Sequence, residues 1–238
     1  MNVKSLSIFF PCYNDKGTIG KLIEDSIETA KAIGIEDYEV IVTDDGSTDG
    51  ARELLASLQK TNPRLKVIFH EKNRGYGAAL QSGFAQATKE WIFYTDGDAQ
   101  YDVKELALLV DVATEGVDLV NGYKIKRQDT FKRIVIGKVY QWTMKAVFLL
   151  KIRDVDCDYR LFKKEKLDQI TLKSNDGSMC VELSRRLQNA KAVIREVPVH
   201  HYSRVYGQSQ FFTFRRVSQT LMTLLKLWWE LVLLGKTK

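Results

Sequence analysis

Four apolar runs of strand length, each stopped by a polar, acid-rich turn, restrict what this chain can fold into more than any other feature. They are residues 4–10 (KSLSIFF), 38–43 (YEVIVT), 65–70 (LKVIFH) and 91–95 (WIFYT). Between them lie helix-period stretches, clearest at Ile19, Leu22, Ile23, Ile27 and Ala30, then over 51–59 and again up to Ala87. Strand and helix alternating at this rhythm predict right-handed βαβ units, a mainly parallel sheet and helices on both of its faces. Ligands of such sheets bind beyond the carboxyl ends of the strands. Here those ends read PCYND, TDDGSTDG, HEKNRG and TDGDAQYD, so the unusual polar residues gather on one predicted rim.

The run from Trp91 ends in Asp96, Asp98 and Asp102. Carboxylates at the end of a buried strand need a cation or hydrogen-bond donors. With only Gly97 between them, Asp96 and Asp98 can converge on one small, hard object such as a divalent ion shared with ligand phosphates. The bland alternative is a polar turn whose Asp caps the next helix. Other familiar sites fail on inspection. Leu80 stands where the dinucleotide fingerprint needs its third glycine, no phosphate-binding G-x-x-x-x-G-K-[ST] loop occurs, and Ala56 falls where an EF-hand needs its twelfth-position Glu. No Ser, His and Asp set has the context of a nucleophile elbow, and His70, His200 and His201 read as strand-end or interface residues.

A chain of 238 residues, 45% hydrophobic, supports one substantial core with appendages. Cys12, Cys157 and Cys180 are odd in number and widely spaced, which predicts neither disulfides nor zinc and places the chain in a reducing compartment. Val3 to Phe10 is only a strand's length before Pro11, so no secretory leader is expected. Charge is uneven: residues 1–123 carry 12 Lys/Arg against 20 Asp/Glu, 124–164 carry 12 against 4, and 203–238 carry 6 against 1. The two basic stretches suit anionic lipid or a phosphorylated substrate; no nucleic-acid-binding pattern accompanies them.

The order and spacing of the rim motifs is similar to a known family. P-x-Y-N-[DE] at Pro11, D-D-G-S-x-D-G from Asp44, N-x-G-x-x-x-A-x-x-x-G through Asn73, Gly75, Ala79 and Gly83, and D-x-D-x-Q at Asp96, Asp98 and Gln100 together resemble the inverting family-2 glycosyltransferases of the GT-A fold. Within that family the chain looks most like the polyprenyl-phosphate sugar synthases of the dolichol-phosphate mannose or glucose type. Asp154 to Phe162 is similar to that group's D-x-x-S-G-F-R-L, and Arg204 to Gln210 to its R-x-x-G-x-S-K, with Asp158 in place of the usual glycine and Gln210 in place of Lys.

The resemblance implies a three-layer α/β/α GT-A domain over 1–210, with a nucleotide-sugar donor half (1–122) and an acceptor half (123–210), followed by an amphipathic interfacial helix over 211–238. It implies transfer of a hexose from a UDP- or GDP-sugar to dolichyl or undecaprenyl phosphate, with Mg²⁺ or Mn²⁺ held by Asp98 and Gln100. Asp96 would meet the ribose, Asp45 the base, and Pro11, Tyr13, Asp15 and Gly75 the rest of the nucleotide pocket. Asp96, Asp98, Asp154 and Arg160 would be the catalytic group. Arg127, Arg133, Arg160, Arg204 and Ser209 would bring the acceptor's phosphate to the donor. A phosphate acceptor is already an anion and needs cations rather than a base; a hydroxyl acceptor would need one, and Asp154 is the candidate. Transfer to a hydroxyl acceptor in polysaccharide or glycoconjugate synthesis, or a silent nucleotide-sugar-binding scaffold, remain the alternatives.

Lys226 and Glu230 interrupt the apolar stretch of 211–234 before it reaches the roughly 20 residues needed to span a bilayer. It is expected to lie on the cytoplasmic face of a membrane, with Trp228 and Trp229 at headgroup depth, or else to pack on a protein partner or a second copy. Residues 140–150 (YQWTMKAVFLL) raise the same two possibilities.

Overall fold

The computed structural model describes residues 2–127, 131–206 and 214–237. The chain runs β1 (Ser5–Cys12), α1 (Lys16–Ala32), β2 (Asp37–Asp44), α2 (Ala51–Thr61), β3 (Leu65–Phe69), α3 (Tyr76–Gln86) and β4 (Trp91–Thr95). Then come a 3₁₀ turn (Val103–Glu105), α4 (Leu106–Val112), β5 (Leu119–Arg127), α5 (Phe131–Phe148), β6 (Tyr159–Lys163), α6 (Lys164–Asp168), α7 (Met179–Asn189), β7 (Ile194–His201) and α8 (Phe214–Trp228), closing in a π-helical turn (Trp229–Leu233).

Seven strands form one sheet in the order β3-β2-β1-β4-β6-β5-β7. Only β6 runs against its neighbours, pairing antiparallel with both β4 and β5. All the others point their carboxyl ends the same way, and Cys12↔Asp44 and Phe9↔Tyr94 bring the ends of β1, β2 and β4 to one edge, as the alternation of sequence predicts. The strand β5 runs straight through residue 122 and pairs with β7, so the sheet continues across the expected boundary between donor and acceptor halves.

Both faces of the sheet are covered, which is why its central strands show no polar alternation. Leu6, Ile8 and Phe10 of β1 pack under α1, α2 and α4, while Phe9 packs under α3 on the opposite face with Leu80, Phe84 and Tyr94. Here the glycine that closes the third motif has a steric reason. A Cβ on Gly83 would stand 2.0 Å from Phe9 Cε2, so α3 can lie on β1 only with no side chain at that point.

A third apolar cluster joins α5, α7 and α8 through Met144, Phe148, Val181, Leu224, Leu227 and Leu231. The C-terminal helix is therefore docked on its own domain along one stripe. Its other stripe stays outside: Leu221, Met222, Leu225 and Trp229 are more than half exposed, as are Ile136, Val139 and Trp142 of α5. Of the two tryptophans expected at headgroup depth, Trp228 instead donates its indole N–H to Val147 O at 3.0 Å. Among the described residues no helix is long and apolar enough to cross a membrane.

Gly83→Ala should lower the melting temperature by several degrees, since overpacking at a closed contact costs about 1–3 kcal/mol. Gly20→Ala, whose Cβ would meet Leu54 Cδ2 at 3.6 Å in α1, should be neutral or stabilising. Thermal melts of both variants check the contrast.

Candidate active site at the carboxyl edge

Every loop at the carboxyl edge is tied to a neighbouring one. At the end of β1, Asn14 adopts φ 59°, and its Oδ1 accepts the Thr48 N–H at 2.7 Å while its own N–H goes to Ser47 Oγ at 2.9 Å. At the end of β2, Asp44 is fully buried and holds Arg52 Nη1 at 3.1 Å, in keeping with a structural role in the turn. Asp45 is the knot of this side. Its carboxylate accepts the N–H groups of Arg74 (2.8 Å) and Gly75 (2.9 Å) and lies 2.6 Å from His70 Nδ1. His70, directly after β3, reaches Ser82 Oγ with its other ring nitrogen at 2.9 Å. Gly75 turns its N–H inward from φ 98°, where a Cβ would sit 2.3 Å from Asn175 O.

The acids expected to carry the chemistry converge at the ends of β1 and β4. Tyr13 N–H donates to Asp15 Oδ2 at 3.1 Å, and Asp15 Oδ1 is buried with no hydrogen-bond donor among the described residues. Tyr76, the first residue of α3, donates its hydroxyl to Asp96 Oδ1 at 2.9 Å. Asp98 Oδ1 accepts the Gln100 N–H at 3.0 Å, and Oδ2 is paired with Arg204, whose Nη1 stands 3.7 Å from Asp15 Oδ1. Gln100 is clamped to the segment after β7: its side-chain amide donates to Tyr202 O at 3.0 Å and Tyr202 N–H donates to Gln100 O at 2.8 Å. Pro11 closes β1 beside Gly97, where a Cβ would meet Pro11 O at 2.6 Å.

A fourth carboxylate joins them from β6. The β4–β6 ladder ends at Thr95↔Tyr159, so Asp96 and Asp158 face each other just past it. Asp158 Oδ1 accepts from the Tyr94 hydroxyl (3.2 Å) and from Cys180 Sγ (3.1 Å) in the first turn of α7. Its place opposite Asp96 comes from the antiparallel return of β6, which no spacing in the sequence announces. Tyr76 escaped the sequence reading as well, its only signal being its position after Gly75, while His70 stands at a strand end as expected, with the bond to Asp45 added by the fold.

Burial drives the electrostatics. It pushes the Asp15 carboxyl up to about 6, against the Tyr13 N–H bond, with Asp98 adding to the rise. Asp96 is pushed well above the usual carboxylate range, first by burial and then by Asp158 and Asp98. Asp98 is also raised by burial, and Arg204 opposes the rise. Arg204 is thus ion-paired with two of these acids, Asp15 and Asp98, while the buried Arg160 guanidinium acts on Asp158.

Two expected roles are corrected by geometry. Arg160 is fully buried: Nε donates to Cys157 O (3.0 Å), Nη2 to Val155 O (2.6 Å), and Nη1 to Ser184 Oγ (2.8 Å) and Cys180 O (3.4 Å). It braces the 155–157 loop against α7 and presents no face to an acceptor's phosphate. Asp154, the candidate base, accepts the Lys124 N–H at 3.1 Å and sits 3.6 Å from the buried Lys124 ammonium, so its carboxylate is engaged in an ion pair rather than free. The side chains of Arg127 and Arg133, and the whole of Ser209, lie outside the described residues. Cys12, Cys157 and Cys180 are all free thiols.

Comparisons with known proteins bear on the family and the fold. The family model described as Glycosyl transferase family 2 matches residues 7–171. Glucosyl-3-phosphoglycerate synthase from Mycobacterium tuberculosis, solved with Mn²⁺, UDP and phosphoglyceric acid, superposes with a TM-score of 0.72 at 20% identity, over 94% of this chain and 78% of that one. The same enzyme with Mn²⁺, UDP-glucose and phosphoglyceric acid gives 0.70 at 19% identity, over 94% and 80%. Another mycobacterial protein gives 0.67 at 20%, over 94% and 74%. At these identities the structural likeness speaks for the fold.

Because a carboxyl raised to about 6 disfavours the charged form, Asp15 withdraws stability as pH rises from its unfolded value near 4 through 6. Asp15→Asn should therefore stabilise the metal-free protein at pH 7.5, by on the order of 3 kcal/mol at most, with the gain vanishing toward pH 4. Melting curves of both proteins across that range test the sign.

Proposed function

The chain belongs to glycosyl transferase family 2, and from that premise we propose that it is a metal-dependent inverting hexosyltransferase using a UDP- or GDP-sugar and a polyprenyl-phosphate acceptor at a membrane surface. The observation that carries the donor half is Asp98 at the end of β4, held with Asp15 by the guanidinium of Arg204. Among the described residues no three acids or histidines are grouped to hold an ion by themselves, so a divalent ion would share Asp98 with the oxygens of the donor's diphosphate; Mn²⁺ accompanies UDP in glucosyl-3-phosphoglycerate synthase. When bound, Mg²⁺ or Mn²⁺ would neutralise the charge growing on the leaving diphosphate. Asp98 would hold it, with the Gln100 amide oxygen, because the nitrogen end of that amide is the one tied to Tyr202 O.

The protein's own residues would do the rest. Asp45 holds the 74–75 turn in shape for the nucleotide, beside Pro11, Tyr13 and Asp15. Arg204, paired with Asp98 and near Asp15, would be the residue free to meet a phosphate when Asp98 holds an ion. Two anions then meet with cations between them, and no general base is required.

The acceptor reading rests on the outward stripes of α5 and α8. Trp142 is 77% exposed and Trp229 58%, on helices flanked by the basic residues of 124–138 and 215–226. Burial of such stripes at a lipid interface places an acceptor phosphate at headgroup depth. Phosphoglyceric acid in the structural neighbour is a small phosphorylated acid, and a family-2 enzyme with a soluble acceptor of that kind fits the donor site equally well.

Titration of UDP and of GDP with and without Mn²⁺ tests the donor half; one nucleotide should bind in a metal-dependent way, and Asp98→Ala should abolish that dependence. If neither binds, the chain is a scaffold. Mass detection of the product from a sugar-nucleotide screen on polyprenyl phosphate and on phosphoglycerate decides the acceptor. Trp142→Glu with Trp229→Glu changes only outward positions, and should reduce sedimentation with anionic vesicles and transfer to long-chain acceptor at least tenfold while leaving nucleotide binding intact. Equal loss on a short soluble analogue would withdraw the membrane assignment.

A further inference from the structure

We propose that Asp158 reads a hydroxyl of the donor hexose and so sets which sugar this enzyme takes, with Asp96, which the resemblance placed at the ribose, facing the hexose beside it; the inference rests on the donor reading above. Three observations carry it. The first is register: Thr95↔Tyr159 is the last pair of the β4–β6 ladder, so Asp96 and Asp158 stand opposite one another at its open end. In an antiparallel pair, opposed residues project to the same face.

The second is how each carboxylate is held. Tyr76 OH fixes Asp96 Oδ1 at 2.9 Å from the start of α3. Tyr94 OH (3.2 Å) and Cys180 Sγ (3.1 Å) fix Asp158 Oδ1 from the sheet and from the start of α7. Every one of these donors is neutral. Neither Asp96 nor Asp158 is in a salt bridge among the described residues, whereas Asp98 and Asp15 meet Arg204. Both carboxylates are oriented, and both are only half-buried.

The third is complementarity. A diphosphate is repelled from between two carboxylates, and it has a better place beside Arg204 and Asp98. Arg160 acts on Asp158 and Arg204 on Asp96 without an ion pair to either, and what two carboxylates so oriented accept between them is a neutral group rich in O–H donors. In a nucleotide-sugar that group is the hexose. The position also makes a polar requirement selective, since a buried acceptor left without its hydroxyl is costly.

The test compares binding of UDP-glucose with UDP, and of GDP-mannose with GDP, in the presence of Mn²⁺, by titration calorimetry. In Asp158→Asn the affinity for the preferred sugar nucleotide should fall about 10–100-fold while the affinity for the bare nucleotide changes less than twofold. Tyr94→Phe, which removes one of the groups orienting Asp158 and keeps the ring in the core, should give a smaller loss of the same kind. A deoxyhexose analogue lacking the hydroxyl that Asp158 reads should bind wild type and Asp158→Asn alike. Equal weakening of nucleotide and sugar nucleotide would overturn the inference, as would unchanged binding with a loss confined to kcat, which would make Asp158 a base. Failure of wild type to bind either nucleotide would instead overturn the donor reading itself.

Discussion

Four carboxylates meet at the carboxyl edge of one sheet, and among the described residues Arg204 alone is ion-paired with any of them. That imbalance is the constraint on which the rest of the structure turns. Asp15, Asp96 and Asp98 are each driven upward by burial, and Arg204 opposes the rise at all three without cancelling it. A fold tolerates such a cost where a ligand relieves it. The surrounding residues are arranged to keep the acids in place until that happens: phenol hydroxyls on Asp96 and Asp158, backbone N–H groups on Asp15 and Asp98.

The scaffold under this edge is rigid for reasons that lie in a few contacts. Asp45 ties the β2 loop to the turn entering α3 through two N–H groups and His70. Gly83 lets α3 rest on the Phe9 ring, which fixes Tyr76 over Asp96. From the other side, Arg160 gathers the 155–157 loop and α7, and so sets Asp158 against Cys180. Further out, the fully buried Glu182–Arg186 pair (2.7 Å) takes the N–H groups of Lys173 and Ser174 and the carbonyl of Thr237. The C-terminal segment is thereby joined to the loop that packs on Gly75 and Gly77.

The helices α5 and α8 divide their apolar surface between two jobs. One stripe of each completes a small core with α7, and the other faces outward. A helix whose apolar arc is wider than its intramolecular contact has surface left for another apolar phase. This separates the docking of α8 from the proposed use of its outer stripe, so the two can be perturbed independently.

The sequence by itself determined the βαβ rhythm, the shared carboxyl edge and the motif order, because each depends on local periodicity and on where apolar runs stop. It also determined that Asp96 and Asp98 stand at a strand end; that a side chain does not fit at Gly75 and Gly83 is a tertiary fact, set by Asn175 O and the Phe9 ring. What it left open was the partner of each charge. Arg160 reads as a phosphate-binding cation and proves to be an internal brace; Asp154 reads as a base and proves to be paired with Lys124. Asp158, which stands out in the sequence only as a departure from glycine, lies opposite Asp96 because β6 returns antiparallel between β4 and β5. Spacing along a chain specifies which way a side chain leaves its own strand. Which residue it meets is settled only when the strands find their neighbours, and here that pairing spans 62 positions, from Asp96 to Asp158.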